Sequence, residues 1–251
     1  MSMKYKPNLY DSDPRDFLKE EVSFYVKLIK KYKPKKILEL GVGTGRIFKE
    51  LLNLVDYGVG IDNSDEMLSV CEKGCFGHNN YELINDNFVS FNLDLNFDFI
   101  YLPFNTFQHI LYKKDQIKCL ENIRKHLNKG GIFILDVMNC QNIELKFNEW
   151  KKDYSAKPEN GNILERFQNT LKIDEGNVIH KQFKYIEHGN AGGVLNEEIF
   201  DALMKITPNN ELEGLIGDCG FEVNDIWTNY QFDKSDDTKK IIYCLRKNES
   251  N

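Results

Sequence analysis

The chain has 251 residues, a formal net charge of −6 and 41% apolar residues. This length suits one domain with an insertion or two small domains, and the composition is that of a globular protein. No apolar run approaches the roughly 18 residues of a membrane span, and no signal-peptide pattern opens the chain, so we expect a cytoplasmic protein without a membrane partner. The acidic balance disfavours nucleic acid as a partner, because such binding needs a basic surface.

The predicted elements alternate over the first 140 residues. Apolar spacing predicts a helix over residues 14–32, followed by short apolar strands around 37–40, 57–62, 81–84, 97–102 and 132–137. Helices are predicted after the first, second and fourth strands, where apolar residues recur at helical spacing. Such alternation is typical of βαβ units, so we predict a doubly wound α/β fold with a parallel sheet covered on both faces.

The pattern changes after about residue 140. Residues 162–188 read as a hairpin with its turn at 174–177, and residues 194–206 as a further strand. A short helix ending at Gly220 and two closing strands, 221–227 and 240–245, follow. We therefore predict an antiparallel β cap at 141–206, inserted into a main domain formed by residues 1–140 and 207–251.

Six cysteines are scattered along the chain without a CxxC pair. Cys71 and Cys75 are four residues apart, but no second pair completes a zinc site. We expect reduced, mostly buried thiols and no metal site.

A glycine-rich segment, Glu39-Leu40-Gly41-Val42-Gly43-Thr44-Gly45, lies between the first predicted strand and a helix. Glycines at alternate positions let the backbone turn sharply and approach a ligand closely. The helix that follows is expected to offer unpaired N–H groups at the carboxyl ends of the strands, where nucleotide-like ligands bind. Arg46 stands where the dinucleotide fingerprint GxGxxG needs its last glycine, and the phosphate-loop motif is also absent.

Residues 37–47 (ILELGVGTGRI) resemble the first motif of class I S-adenosylmethionine-dependent methyltransferases. The resemblance implies a Rossmann-like, mostly parallel seven-stranded sheet, S-adenosyl-L-methionine as cofactor and S-adenosyl-L-homocysteine as product. It also implies that Asp62 binds the ribose hydroxyls, Asp86 the adenine amino group and Glu39 the methionine end. The implied cofactor contacts are Tyr10, Glu39, Gly41, Gly43, Gly45, Arg46, Asp62, Asn63, Met67, Asp86, Asn87 and Leu102.

The segment that follows the fourth strand, residues 103–109, together with Leu9-Tyr10-Asp11, resembles the small-molecule subgroup that includes amino-sugar N-methyltransferases. In that subgroup a tyrosine covers the methionine part of the cofactor, which implies a lid role for Tyr10. The Asn/Asp-Pro-Pro-Phe/Tyr motif of enzymes that methylate nucleic-acid bases is absent. Candidate acceptor contacts are Asn105, Phe107, His109 and Trp150.

His109 is the candidate general base, because histidine can take a proton near neutral pH. A histidine hydrogen-bonded within its loop and passive in the reaction is an equally good interpretation. The sequence does not separate the two.

We therefore expect methyl transfer to nitrogen or oxygen of a small molecule. The alternatives are a tRNA or protein methyltransferase, a non-catalytic cofactor-binding module, and a nucleotide-sugar or NAD enzyme, which Arg46 disfavours. A homodimer through the cap is compatible with the composition, and nothing in the composition requires it.

Overall fold

The computed structural model describes residues 6–142, 146–158, 161–174, 177–235 and 238–248. The first half of the chain alternates helices and strands as predicted. In chain order these elements are α1 (Pro7–Asp11), α2 (Phe17–Tyr32), β1 (Lys36–Leu40), α3 (Phe48–Leu51), β2 (Tyr57–Asp62), α4 (Asp65–Gly74), β3 (Tyr81–Asn85), β4 (Phe97–Leu102), α5 (Lys113–His126) and β5 (Leu127–Met138). Single-turn 3-10 helices follow α3, at Leu52–Leu54, and β4, at Thr106–His109.

The second half begins with four consecutive strands: β6 (Lys151–Ala156), β7 (Ile163–Asp174), β8 (Val178–His188) and β9 (Val194–Lys205). The last elements are α6 (Asn209–Asp218), β10 (Phe221–Trp227) and β11 (Lys240–Lys247). The sequence pattern did not predict β6, and part of the predicted hairpin turn, Glu175-Gly176, lies outside the described residues.

The strands form two sheets. The main sheet has seven strands in the order β10-β11-β5-β4-β1-β2-β3, in which β1 to β5 are parallel to one another and β11 runs antiparallel to both of its neighbours, β5 and β10. The second sheet, here called the cap sheet, is antiparallel in the order β6-β7-β8-β9. The predicted fold, a mostly parallel Rossmann-like sheet with an antiparallel cap, is confirmed. The strand order reverses between β1 and β4, and ligands bind at such a switch point, outside the carboxyl ends of the strands.

Both faces of the main sheet are buried. Ile37 packs with α2 residues such as Phe24 and Leu28 on one face, whereas Leu38 packs with α5 residues such as Leu120 on the other. This is why β1 reads as a continuous apolar run rather than an alternating one. No helix among the described ranges is long and apolar enough to cross a membrane.

The helix expected after the glycine-rich segment is present and short. Residues 41–47 form turns, α3 covers only Phe48–Leu51, and a 3-10 helix follows. So short a helix has little dipole, because the dipole grows with the number of aligned peptides. The amino-terminal end of α3 is therefore expected to attract an anion only weakly.

Candidate active site at the carboxyl ends of the sheet

A cavity of about 1750 Å³ lies between the carboxyl ends of the parallel strands, α1 and the cap sheet. Pockets for one small ligand are usually about 300–1,000 Å³. The cavity therefore has room for a nucleoside-sized ligand and a second molecule beside it.

The glycine-rich loop is built from three residues in the left-handed region. Gly41, Gly43 and Gly45 have φ values of 76°, 55° and 78°. A Cβ on Gly41 would lie 2.6 Å from Thr106 Cγ2, and one on Gly45 would lie 2.5 Å from Cys71 Sγ. A Cβ on Gly43 would meet nothing within 4 Å, and Gly43 lines the cavity. Two of the glycines thus permit close packing, and the third leaves open space in front of the loop for a ligand.

The Asp62 carboxylate is fixed at the end of β2 by backbone groups. The Gly43 N–H donates to Oδ2 at 2.9 Å and the Ser64 N–H donates to Oδ1 at 3.0 Å. Burial raises the pKa of Asp62, and these N–H groups oppose that rise. Each carboxylate oxygen can accept more than one hydrogen bond, so both can still accept from a diol. The Asp62 site fits the ribose of an adenosyl cofactor.

Glu39 lies behind the loop rather than on the cavity wall. Its carboxyl is 2% exposed and accepts a hydrogen bond from the Tyr101 hydroxyl at 2.7 Å. Burial raises its pKa well above the ordinary range. A ligand contact of Glu39 would have to pass through an intervening group.

Helix α1 connects the loop to the rest of the cavity wall. The Thr44 hydroxyl donates to Asp11 Oδ1 at 2.6 Å. The Arg46 guanidinium pairs with the fully buried Glu21 of α2 and is hydrogen-bonded to Tyr10. Leu9 packs against Tyr154 and Tyr185 of the cap sheet. Tyr10 therefore sits on a segment attached both to the loop and to the cap, which suits a lid.

His109 enters the cavity wall from the 3-10 helix after β4. Its Nδ1 lies 3.1 Å from the Leu203 carbonyl oxygen of β9. A carbonyl only accepts, so Nδ1 carries the proton and the neutral ring keeps its lone pair on Nε2. Burial lowers the pKa of His109, because the charged ring loses solvation. The ring is therefore neutral at physiological pH.

Two consecutive residues before this helix have positive φ without being glycine: Phe104 at 53° and Asn105 at 62°. Their N–H groups bond to Asp136, at 3.4 Å to Oδ2 and 3.2 Å to its carbonyl oxygen. The Asn105 Oδ1 atom is buried and has no hydrogen-bond partner among the described residues. Such strain and an unsatisfied acceptor are typical of ligand-binding turns.

The structure brings most of the sequence-predicted site residues to one cavity wall. Those on the wall are Tyr10, Gly41, Gly43, Arg46, Asp62, Asn63, Met67, Asn87, Asn105 and His109.

The other predicted residues lie elsewhere, and their roles stay predictions. Gly45 lies in the loop and packs closely against Cys71, and Leu102 is fully buried in the core. Asp86 accepts from the Asn87 N–H at 2.6 Å in the turn after β3, and Phe107 is buried in the core. Trp150 stacks beneath the Lys184 ammonium at 4.6 Å. Lys184 alternates with the wall residues Phe183 and Tyr185 along β8, so this contact lies on the opposite face of the cap sheet.

Several wall residues were not predicted from the sequence as site residues. Asp11 and Thr44 meet only because α1 folds over the loop, and Asp153, Arg166 and Lys181 reach the wall from three strands of the cap sheet. Alternation on a strand indicates which residues share a face, but not which face meets a cavity.

The loop lies in a part of the chain that matches a known protein family. Residues 37–131 match the sequence model of the family described as "Methyltransferase domain". The Bacillus subtilis (strain 168) protein YqeM, whose name designates it a candidate methyltransferase, is 23% identical over 217 residues. That alignment covers 86% of this chain and 85% of YqeM.

Solved structures share the whole fold. An S-adenosylmethionine-dependent methyltransferase from Clostridium acetobutylicum superposes with a TM-score of 0.80 at 17% identity, covering 95% of this chain and 96% of its own. The sugar N-methyltransferase KedS8 from Streptoalloteichus sp. superposes with a TM-score of 0.77 at 14% identity, covering 98% and 94%. Both sheets lie within the covered part of the chain.

Proposed function

The chain belongs to the S-adenosylmethionine-dependent methyltransferases, and from this premise we propose that it methylates nitrogen or oxygen of a small molecule, with His109 as general base. Nitrogen is the favoured acceptor atom. The structural relative KedS8 is a sugar N-methyltransferase, and its fold covers both sheets of this chain.

The cofactor half of the site is assigned to the loop and the ends of β1 and β2. Bound S-adenosylmethionine supplies an electrophilic methyl group on a sulfonium sulfur. Asp62 would accept hydrogen bonds from the ribose, the open space at Gly43 would admit the nucleoside, and Met67 would pack beside the adenine. Tyr10 and the segment around it would cover the methionine end and exclude water.

The acceptor half is assigned to the space between His109 and the cap sheet. The Leu203 carbonyl holds Nδ1–H of His109, which directs the basic Nε2 away from that carbonyl. During transfer the acceptor nitrogen or oxygen would form a bond to the methyl carbon while the bond between that carbon and the sulfonium sulfur breaks and leaves S-adenosylhomocysteine, and the acceptor proton would pass to Nε2 of His109. The protonated ring then stays hydrogen-bonded to Leu203 until solvent takes the proton.

Positioning supplies the remaining catalysis. Orienting two reactants in line can contribute up to about 7–11 kcal/mol. The cavity wall that would orient the two reactants is bounded on one side by the cap sheet and on the other by α1. This enclosure favours a small acceptor over a macromolecular one.

The single observation that carries the proposal is the position of His109, held at Nδ1 by the Leu203 carbonyl, on the same cavity wall as Asp62 and Gly43. The test is conversion of S-adenosylmethionine to S-adenosylhomocysteine with a panel of small amines and alcohols. The wild type should turn over at least one amine, with the methyl group found on nitrogen by mass spectrometry. Turnover of tRNA or a protein, with none of the small acceptors, would overturn the proposal.

A further inference from the structure

We propose that the acceptor carries an oxyanion group, a carboxylate or a phosphate, and that Lys181 and Arg166 of the cap sheet bind it. This inference rests on the proposed function, because it names the class of molecule that would occupy the acceptor half.

The charge on the cavity wall is opposite in sign to that of the chain. Lysine and arginine outnumber aspartate and glutamate by ten to six on the wall, whereas the whole chain has 33 basic and 39 acidic residues. Cations inside a partly enclosed cavity act through a lower dielectric than cations on an open surface, so their field is strong there. The wall is therefore suited to an anionic occupant.

Lys181 is the clearest cation of this wall. It lies on β8, on the face that also presents Phe183 and Tyr185 to the cavity. Its ammonium has three donors, and the hydrogen bond recorded for it among the described residues is a long one, 3.4 Å to Gln168 Oε1. Burial lowers the pKa of Lys181, the Asp153 carboxylate opposes this fall, and the charge of Arg166 adds to it. An oxyanion would satisfy the donors and stabilise the charged form.

Arg166 lies on the neighbouring strand β7, faces the same cavity as Lys181 and stacks over Phe183 at 4.3 Å. Its Nη1 is 3.7 Å from Asp13 Oδ2 and 3.6 Å from Asp153 Oδ2. These carboxylates balance part of the positive charge from beyond hydrogen-bond distance. Arg15 lies closer to Asp13 than Arg166 does, and its Nε donates a hydrogen bond to Asp13 Oδ1 at 2.8 Å. Three cations, Arg15, Arg166 and Lys181, thus lie near the two carboxylates Asp13 and Asp153.

The proposed oxyanion site is close to the candidate base. Lys181 pairs with Ala202 across the strands, next to Leu203, whose carbonyl holds His109. Strand spacings place the Cα atoms of Lys181 and Leu203 roughly 6 Å apart. An amine whose oxyanion is a few bonds from its nitrogen would reach both groups. Amino acids and phosphorylated amino sugars have this chemistry in common.

The binding experiment uses the full chain saturated with S-adenosylhomocysteine and follows thermal unfolding during titration with sodium acetate, sodium phosphate or sodium chloride at equal ionic strength. Phosphate stabilises many proteins by exclusion, so the readout is the difference between variants. The variant Lys181→Gln removes the charge from the wall. The matched control Lys184→Gln removes a charge from the opposite face of the same strand.

We expect acetate or phosphate to stabilise the wild type and Lys184→Gln more than chloride does. Lys181→Gln should need at least about tenfold more of the oxyanion for the same stabilisation, because a charged hydrogen bond is lost. Its affinity for S-adenosylhomocysteine should be unchanged, which shows that it is folded. Equal responses of the two variants, or none beyond that of chloride in the wild type, would overturn the proposal.

Matched acceptor pairs separate the two sources of the oxyanion in a turnover assay. Glycine against glycinamide tests a carboxylate, and glucosamine 6-phosphate against glucosamine tests a phosphate. The oxyanion-bearing member of one pair should be preferred at least tenfold by the wild type and not by Lys181→Gln. Equal or preferred turnover of the members without the oxyanion would overturn the oxyanion inference and leave methyl transfer intact. Oxyanion binding without transfer to any small acceptor would support this inference and count against the proposed function.

Discussion

Burial shifts the pKa of each titratable residue in this site in a direction that depends on the sign of its charge. It raises the pKa of Asp62 and lowers that of His109, because in both cases the charged form loses solvation. The surroundings then give the two residues different roles. N–H groups of Gly43 and Ser64 support the Asp62 carboxylate, whereas a carbonyl holds the neutral His109 ring in one tautomer.

Asp62→Asn should weaken the binding of S-adenosylhomocysteine about 10- to 100-fold. The change replaces one acceptor oxygen by a donor, and hydrogen bonds to charged groups are worth about 1.5–3 kcal/mol. Isothermal titration calorimetry measures the effect. Asp56→Asn, at an exposed position just before β2, is the control and should bind normally. Unchanged affinity of Asp62→Asn would remove this residue from the cofactor site.

His109→Asn should keep cofactor affinity and lower turnover at least tenfold, because a general base typically contributes 10²–10⁴-fold. The neutral ring is the active form, and its pKa lies below the ordinary value of 6.5. For the wild type, kcat/KM should therefore fall only as the pH drops below about 6.5, and this acid limb should vanish in the variant. A pH profile of both proteins measures this. Equal turnover of the two would assign His109 a passive role.

Among the elements, the glycine-rich loop and α1 act together. The loop turns in place of a long helix, and α1 delivers Asp11 to Thr44 and Tyr10 to Arg46. Through these contacts the loop is attached to α1, and α1 in turn packs against the cap sheet through Leu9.

Substitution of two of the loop glycines should affect stability and cofactor binding differently. Gly43→Ala should cost about 1–2 kcal/mol of stability for its left-handed backbone and should impair cofactor binding, since the new methyl group enters the cavity. Gly45→Ala should cost about 1–3 kcal/mol more, because its Cβ would overlap Cys71 Sγ. Chemical denaturation and calorimetry separate the effects. A Gly43→Ala protein that binds S-adenosylhomocysteine normally would contradict the assignment of that space.

Thr44→Val should loosen the attachment of α1 and raise the dissociation rate of S-adenosylhomocysteine several-fold. The hydroxyl donates to the partly exposed Asp11 carboxylate, and such a bond is worth about 1 kcal/mol. Stopped-flow displacement measures the rate. Thr44→Ser keeps the hydroxyl and should behave as the wild type. Identical rates in all three proteins would show that the lid is held by other contacts.

At the scale of the whole molecule, the main sheet and the cap sheet share one cavity. The Lys6–Glu198 ion pair at 2.6 Å and the packing of Leu9 on Tyr154 and Tyr185 attach the amino-terminal segment to the cap. A ligand in the cavity therefore touches parts of the chain that are distant in sequence and should stabilise the whole fold.

S-adenosylhomocysteine at 100 times its dissociation constant should add about 2.7 kcal/mol to the free energy of unfolding. For a chain of this size the midpoint should rise by roughly 5–10 °C. Differential scanning fluorimetry measures the rise, with NAD at the same concentration as the control. A rise with NAD alone would contradict the cofactor assignment of the loop.

The sequence by itself determined the class of fold and the cofactor loop. Strands such as β1 and β4 can be predicted from the sequence because burial on both faces makes them continuous apolar runs. The loop motif is readable because Gly41 and Gly43 need a left-handed backbone, which is a local requirement. Asp62 follows from the same logic, since residues at the carboxyl ends of neighbouring parallel strands meet.

Only the tertiary structure decided the acceptor half. His109 receives its tautomer from Leu203, 94 residues away, and its lowered pKa comes from burial by elements that its own segment does not encode. Phe107 and Trp150, both expected at the acceptor, lie in the core and on the far face of the cap sheet. Lys181 and Arg166 become wall residues because one face of the cap sheet closes over the cavity. The face that a strand presents is set by long-range packing, which local sequence patterns do not contain.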